Sequence, residues 1–385
     1  MTNNTEQNKI DSLFCKKNLD AEATRISAIK EQIKTGIFLL GAGNTGKYIA
    51  TQNNGVDFPK IIGFIDDTPG KAGTKVENIP VFTREVALDT YGANVPVVVC
   101  IFKAGCFFNN IKESVISSGF ANVLSLPDYI RATNHLIPFY YFSKTSILKQ
   151  HQQEIASLYE SLADEKSRVV LKRWLHFRLY HDYNNMDHYD PDIYFPDFLP
   201  GQSQEHFCMA DCGAYDGDSI ARLLEWRTSS PTHAIAFEPD KSNISRLKTR
   251  LRANCKNGTL KLKLIAAAVG EKSGFVNFME TNDESAHVVS EGGRRVPVLS
   301  VEEGCNDMIP DYVKYDVEGY EKQALEGTKN LISGHAPALA ISIYHRPEDL
   351  WELPETILTW APKYKLYLRS HAEEGMDTVL YAIRT

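Results

Sequence analysis

Apolar residues fall along this chain in two rhythms. From Gly36 to about Ile130, short apolar runs such as "GIFLLGAG", "KIIGFIDD", "VPVVVCIF" and "ANVLSL" alternate with longer polar-faced stretches such as "NTGKYIATQNNG", "REVALDTYG" and "FNNIKESVISSGF". Strand alternating with helix predicts a parallel, doubly wound sheet. From about Ser143 to Tyr183 the rhythm changes. Ile155, Leu158, Tyr159 and Leu162 recur at three and four positions, the period of an amphipathic helix. The Pro- and aromatic-rich "YDPDIYFPDFLPG" closes that stretch as an ordered loop. A second strand–helix alternation starts at Phe207, with strands at "FCMADCG", "HAIAFEP", "LKLIAAAVG", "GFVNFME", "YVKYDVEG", "PALAISIYH", "KLYLRSH" and "TVLYAI". The expected class is α/β, with two doubly wound Rossmann-like domains joined by a helical linker. The predicted divisions are a helical leader over 1–35, a nucleotide-binding-type domain over 36–135, the linker over 136–200 and a second domain over 201–385.

Composition narrows the partners. The 385 residues carry 42 basic and 49 acidic side chains, a net charge of −7, which argues against nucleic acid as a ligand. Seven cysteines without a CxxC pair argue against a disulfide framework and against a zinc site. No apolar run reaches membrane-spanning length, and the start "MTNNTEQNKIDSLF" is polar. The expectation is a cytoplasmic protein with no membrane span, and a homo-oligomer is allowed.

Each domain opens on a glycine turn, and the two turns differ in charge. In "GAGNTG", Gly41, Gly43 and Gly46 follow a strand and open a helix, and Asp66 and Asp67 end the next strand in "FIDD". That is the dinucleotide-binding layout, in which glycines admit phosphate to the backbone and an acid takes the ribose hydroxyls. Asn44, Thr45 and Lys47 suit a phosphate. The unit is small, however, and the same turn serves equally in a scaffold that binds nothing and only orients its neighbour. The second turn, "DCGAYDGD", carries Asp211, Asp216 and Asp218 and no basic residue. A phosphate would be repelled there. A cationic ligand such as S-adenosylmethionine, with a sulfonium and an ammonium, would be attracted by Asp211 and Asp216. Gly213 and Gly217, with Ala214 between them, let a ligand lie against the backbone. Glu238, ending "AIAFEP", is placed to take ribose hydroxyls, and Ala266 to Ala268 offer small residues beside an adenine, with Ala267 central.

The stretches "DCGAYDGDSI", "FEPD", "AAAVGEKSG", "YVKYDVEGYEKQALEG" and "YKLYLRSHAEEGMDTVLYA" resemble the FkbM family of methyltransferases over roughly residues 194 to 383. The resemblance implies a class I, S-adenosylmethionine-dependent fold for the second domain, with O-methylation of sugar or polyketide hydroxyls as the usual activity. The first domain resembles, more loosely, the Rossmann-like N-terminal domain of sugar-modifying acyltransferases. "ISIYHRPEDLWELP" fits an FkbM subset that carries such N-terminal domains.

Methyl transfer to a hydroxyl needs a base near the acceptor oxygen, and in doubly wound sheets reactive groups gather at the carboxyl ends of strands. Three segments place candidates there. Asp316 ends "YVKYD" with Glu318 and Glu321 just beyond, His345 ends "ISIYH", and His371 ends "LYLRSH". His345 is the expected general base because imidazole titrates near neutrality. Asp316 is expected to orient it, to accept the proton itself, or to hold a divalent metal with Glu318. Glu318 and Glu321 also suit acids at a helix start. His371 reads as acceptor-side or structural. The expected activity is O-methylation of a sugar hydroxyl on a glycan or nucleotide-linked sugar. The alternatives are an NAD(P)- or nucleotide-sugar-binding oxidoreductase or epimerase centred on "GAGNTG", or a nucleotide-sensing scaffold.

Overall fold

The structure, a computed structural model, describes residues 10–53, 58–101, 106–134, 145–186, 189–229, 231–279, 287–289, 291–306, 308–372 and 375–384. The chain forms two units, one of residues 1–150, 173–188 and 372–374, the other of residues 151–172, 189–371 and 375–385. The helix Glu165–Tyr180 contributes residues to both.

In the first unit, strands β1 (Ile37–Leu40), β2 (Ile61–Ile65), β3 (Lys75–Val76), β4 (Ile79–Phe82), β5 (Val97–Val99) and β6 (Val123–Leu124) form one sheet in the order β3-β4-β2-β1-β5-β6. All its pairings are parallel except the β3–β4 hairpin at the edge. The run "IFLL" is apolar without alternation because both faces of the sheet are covered. Ile37 and Leu39 pack into a core with Ile49, Phe64 and Tyr129, while Phe38 and Leu40 pack into another with Phe108, Phe120 and Phe177. The hairpin lies in "TPGKAGTKVENIPVF", a stretch outside the strand and helix runs read from the sequence. Its turn residues Glu77 and Asn78 both have positive φ, 50° and 63°, as a two-residue hairpin requires. The N-terminal helix Lys16–Gln32 is fastened to the helix Leu126–Thr133 by two ion pairs, Arg25 to Asp128 at 2.7 Å and Arg131 to Glu22 at 2.7 Å.

In the second unit, β7 (Cys208–Cys212), β8 (Thr232–Phe237), β9 (Leu260–Ile265), β14 (Tyr312–Tyr315), β15 (Ala338–Ser342), β16 (Tyr364–Ser370) and β17 (Thr378–Arg384) form a seven-stranded sheet in the order β16-β17-β15-β14-β7-β8-β9. The five strands from β15 to β9 are parallel, and β17 runs antiparallel to β15 and β16. Between β9 and β14 in the chain, β10 (Ala268–Val269), β11 (Gly274–Met279), β12 (His287–Val289) and β13 (Arg294–Leu299) form a separate small sheet in the order β10-β13-β11-β12. "LKLIAAAVG", which reads as one strand, is thus split between two sheets at Ala266 and Ala267, and "GFVNFME" leaves the main sheet altogether. Chain order reverses at β7, between β8 on one side and β14 on the other, so a crevice opens at the carboxyl ends of these strands. The predicted α/β class with two doubly wound sheets is the observed one. No helix among the described residues is long and apolar enough to cross a membrane.

Candidate active site

The crevice is a cavity of about 250 Å³ in the second unit. Its wall on the β8 side is apolar, from Phe237, Ala267, Val269, Phe278 and Val288, and its floor is Gly213. Gly213 follows β7 with φ +81°, and a Cβ placed on it lands 1.8 Å from the Asp316 carbonyl oxygen. Only glycine allows the loops after β7 and β14 to touch backbone to backbone here. Gly217 also has positive φ, +84°, but a Cβ there meets Leu247 and Leu251, so this glycine serves helix packing. Ala214 is fully buried with Ile220 and Leu247 and does not line the cavity.

The acids of the second turn separate in space. Asp211 belongs to β7 and is fully buried, directly opposite Lys314 of β14 in the parallel register. Lys314 Nζ donates to Asp211 Oδ1 at 3.0 Å and to the Gly213 carbonyl at 2.9 Å, and the Ser219 hydroxyl donates to Asp211 Oδ2. Burial works against the Lys314 charge, yet Asp211 and Asp316 outweigh it and hold the ammonium above the usual lysine range. Both Asp211 oxygens are therefore committed inside the protein. Asp216 turns to Arg250 and away from the cavity. Asp218, the third acid, lines the cavity. The sequence pattern pointed to Asp211 and Asp216 for the ligand's positive end; of the three acids, Asp218 is the one that lines the cavity. Lys314 was missed, although a lysine inside the apolar run "YVKYDV" signals a buried charge in need of a partner.

Glu238, at the end of β8, is buried and reaches the cavity. Its Oε2 accepts from the Tyr215 amide at 2.9 Å, and its Oε1 accepts from the Asp240 amide at 2.8 Å and Asn243 Nδ2 at 3.2 Å. Burial pushes the carboxyl up to about 7 against these donors.

On the other side stand Tyr194, Asp316, Glu318, Tyr320, Tyr344 and Asp377. The Tyr194 hydroxyl donates to Asp316 Oδ2 at 2.7 Å, so the aromatic loop of residues 189–200 shapes the cavity as well as packing beneath it. That loop is pinned by a relay in which the Tyr194 amide donates to the Tyr381 hydroxyl and His371 Nε2 lies 3.0 Å from the same hydroxyl. His371 Nδ1 donates to the Asp190 carbonyl at 2.8 Å. His371 is a structural residue of this relay and does not line the cavity.

His345 is buried behind the acids. Its Nδ1 lies 2.9 Å from Glu321 Oε1, and its Nε2 lies 3.6 Å from both Asp316 Oδ1 and Glu318 Oε2. Burial alone would lower its pKa, but Glu321 and Glu318 outweigh it and raise it well above the usual imidazole range. His345 does not itself line the cavity and stands behind Asp316 and Glu318, which do. Asp316 faces the cavity, and Lys314 and His345 keep it ionised in spite of burial.

In the first unit, Gly41 has φ +104°, and a Cβ on Gly46 would lie 2.1 Å from the Gly41 carbonyl oxygen, so the turn closes tightly on its helix. Gly43 is open, and a Cβ there would meet nothing within 4 Å. Asp66 is turned back onto this turn. Its Oδ2 accepts from the Ala42 amide at 2.8 Å and Lys71 Nζ at 2.9 Å, and its Oδ1 accepts from the Thr68 amide at 2.9 Å. Against burial, Thr68 and Lys71 hold its carboxyl well below the usual carboxylate range. Lys47 pairs with Glu77 and Asp67 with Arg84.

Residues 211–367 match the methyltransferase FkbM domain. Among solved structures, the chain is similar to methyltransferase FkbM from Methylobacillus flagellatus KT, at 23% identity and a TM-score of 0.77, over 97% of this chain and 99% of that one. An rRNA methylase from Streptococcus thermophilus (14% identity, 47% of this chain, 87% of that chain, TM-score 0.30) and a methyltransferase from Geobacter sulfurreducens (10%, 63%, 97%, TM-score 0.29) also match, at scores too low to carry an argument. No curated protein matches. The matched family gives no support to the oxidoreductase or epimerase alternative. Residues 211–367 thus carry the likeness to a methyltransferase FkbM domain, the chain shares the fold of the Methylobacillus protein, and a methyltransferase fold implies S-adenosylmethionine as the methyl donor.

Proposed function

We propose that the cavity holds S-adenosylmethionine with its ribose hydroxyls on Glu238, and that the enzyme methylates a sugar hydroxyl. The observation that carries the donor assignment is Glu238, a buried carboxylate at the end of β8 that faces the cavity beside an apolar wall and a glycine floor. On this reading the adenine lies against Phe237, Ala267 and Val269, the methionine end lies over Gly213, and Asp218 attracts its positive charge. The donor supplies the methyl group. Asp316 meets the acceptor hydroxyl at the opposite end of the cavity, and His345 acts through Asp316 as a positioning residue. The acceptor assignment is supported by aromatic lining from Tyr194, Tyr320 and Tyr344, whose faces suit a sugar ring and whose hydroxyls are hydrogen-bonding groups. For the first unit we favour a scaffold over a nucleotide site, because the Asp66 carboxylate that would take a ribose is already tied to Ala42, Thr68 and Lys71.

The test is transfer of tritium from methyl-labelled donor to a panel of nucleotide sugars, oligosaccharides and non-sugar hydroxyls. Label on a sugar oxygen supports the assignment. Label confined to non-sugar acceptors overturns its acceptor half, and absence of donor binding overturns it entirely.

A further inference from the structure

Four side chains at the acceptor end are arranged in a way that methyl-donor binding does not explain. Ligand-type atoms of Asp316, Glu321 and His345 lie within 4.8 Å of one another. A carboxylate only accepts hydrogen bonds, so the 2.9 Å contact between His345 Nδ1 and Glu321 Oε1 places a proton on Nδ1. Glu321 is itself fully buried and fixed by the Val317 amide, 2.9 Å from the same oxygen. The ring is thereby aimed so that Nε2 points between Asp316 Oδ1 and Glu318 Oε2, at 3.6 Å from each. His345 is only 6% exposed, and neither its Nε2 nor Asp316 Oδ1 has a hydrogen-bond partner among the described residues. A buried nitrogen and a buried oxygen 3.6 Å apart, too far to hydrogen-bond to one another and neither hydrogen-bonded elsewhere among the described residues, leave room for a ligand between them.

We propose that Asp316, Glu318 and His345 bind a divalent first-row cation, with Glu321 as the positioning residue behind the histidine. Two ligand atoms 3.6 Å apart, each about 2.1–2.2 Å from a cation, subtend roughly 110–120° at it, an opening suited to four- or five-coordination. One imidazole and two carboxylates suit first-row cations such as Mn²⁺ or Zn²⁺, whereas Mg²⁺ keeps several waters in an all-oxygen shell. The carboxylate–histidine pair is the arrangement by which proteins fix the tautomer and direction of a metal-binding imidazole. Asp316 and Glu318 line the cavity, so a further coordination position opens toward the acceptor. The cation deepens the reading of the acceptor end, where Asp316 then meets the acceptor hydroxyl through the metal, which polarises that oxygen. Its binding, in contrast, stands on the side-chain geometry alone and does not depend on the donor assignment.

The experiment is a titration of the full chain with Mn²⁺ in the absence of donor, following the free-ion electron paramagnetic resonance signal, with S-adenosylhomocysteine affinity and melting temperature measured alongside. Wild type is expected to bind one Mn²⁺ per chain saturably. Glu318→Gln and His345→Gln should weaken binding at least tenfold, and Glu321→Gln about 10- to 100-fold through the loss of ring orientation. Glu355→Gln, on an exposed helix face, is the control and should bind as wild type does. Glu318 is part-exposed, so its variant keeps the test decisive even if His345→Gln does not fold. Absence of saturable binding by wild type overturns the site, as does equal binding by folded Glu318→Gln. Loss of S-adenosylhomocysteine binding with Mn²⁺ binding intact speaks against the donor assignment and leaves the cation site standing.

Discussion

If Glu238 holds the donor ribose, donor affinity must depend on pH through this one carboxyl. Burial raises Glu238 from 4.5 to about 7 in the free protein. That displacement corresponds to about 3 kcal/mol favouring the protonated form. Two hydroxyl donors from a ribose require the ionised form, since the Tyr215 and Asp240 amides and Asn243 already occupy much of its accepting capacity. Binding is therefore coupled to loss of a proton, and apparent affinity should follow the ionised fraction. It should be nearly constant above pH 8 and about tenfold weaker at pH 6, with about a further tenfold lost per pH unit below that. Stability runs the other way. Protonation of a group raised on folding favours the free protein fully below about pH 4.5, and this contribution is lost as pH rises through about 7. Glu238→Gln should bind the donor more weakly at pH 8, by about 10- to 100-fold for the lost charge-assisted hydrogen bonds, and should show no pH dependence from this group. Isothermal titration with S-adenosylhomocysteine at pH 6, 7 and 8, for wild type and variant, measures both effects. A wild-type affinity that is flat across this range, or a variant with the same pH profile as wild type, would refute the reasoning.

Other expectations follow from particular contacts. Gly213→Ala puts a methyl group against the Asp316 carbonyl in a left-handed backbone, so melting temperature and donor affinity should fall together; a change below about 1 °C, against the several degrees expected per kcal/mol in a domain of this size, would contradict the close approach. Lys314→Met leaves Asp211 buried without its cation and should cost about 3–5 kcal/mol in denaturant unfolding, far more than an exposed lysine would. Asp316→Asn should keep S-adenosylhomocysteine affinity within a few-fold and lose methyl transfer by about 10²-fold or more, measured with labelled donor at saturation. NAD and nucleotide sugars should fail to bind the first unit in wild type; a titration in which one binds and Gly43→Val abolishes it would restore the nucleotide reading.

The elements were legible wherever the chain is buried on both faces or amphipathic. "IFLL" and "ALAIS" are continuous apolar runs because helices cover both sides of their sheets, and Ile155, Leu158 and Tyr159 mark a helix face that is buried. The β3–β4 hairpin was not legible, since its strands are short and its turn is Glu77-Asn78 rather than a glycine pair. At the site, an acid following a strand could be located, which is why Glu238 and Asp316 were found at strand ends. The direction of a carboxylate could not be. Asp211 faces inward because Lys314, 103 residues later, lies opposite it in the register between β7 and β14, a pairing that no local pattern reveals. The same holds for Glu321 and His345, 24 residues apart and joined where the helix Glu321–Glu326 meets the segment after β15.

A crystal structure of the chain with S-adenosylhomocysteine shows whether the donor occupies the strand-end cavity of the second unit. The ribose hydroxyls are expected within hydrogen-bond distance of Glu238, and the adenine against Phe237 and Ala267. Asp211 should remain on Lys314 and out of contact with the ligand. Ligand density on the Gly41–Gly46 turn of the first unit, or in the cavity with the ribose away from Glu238, would contradict it.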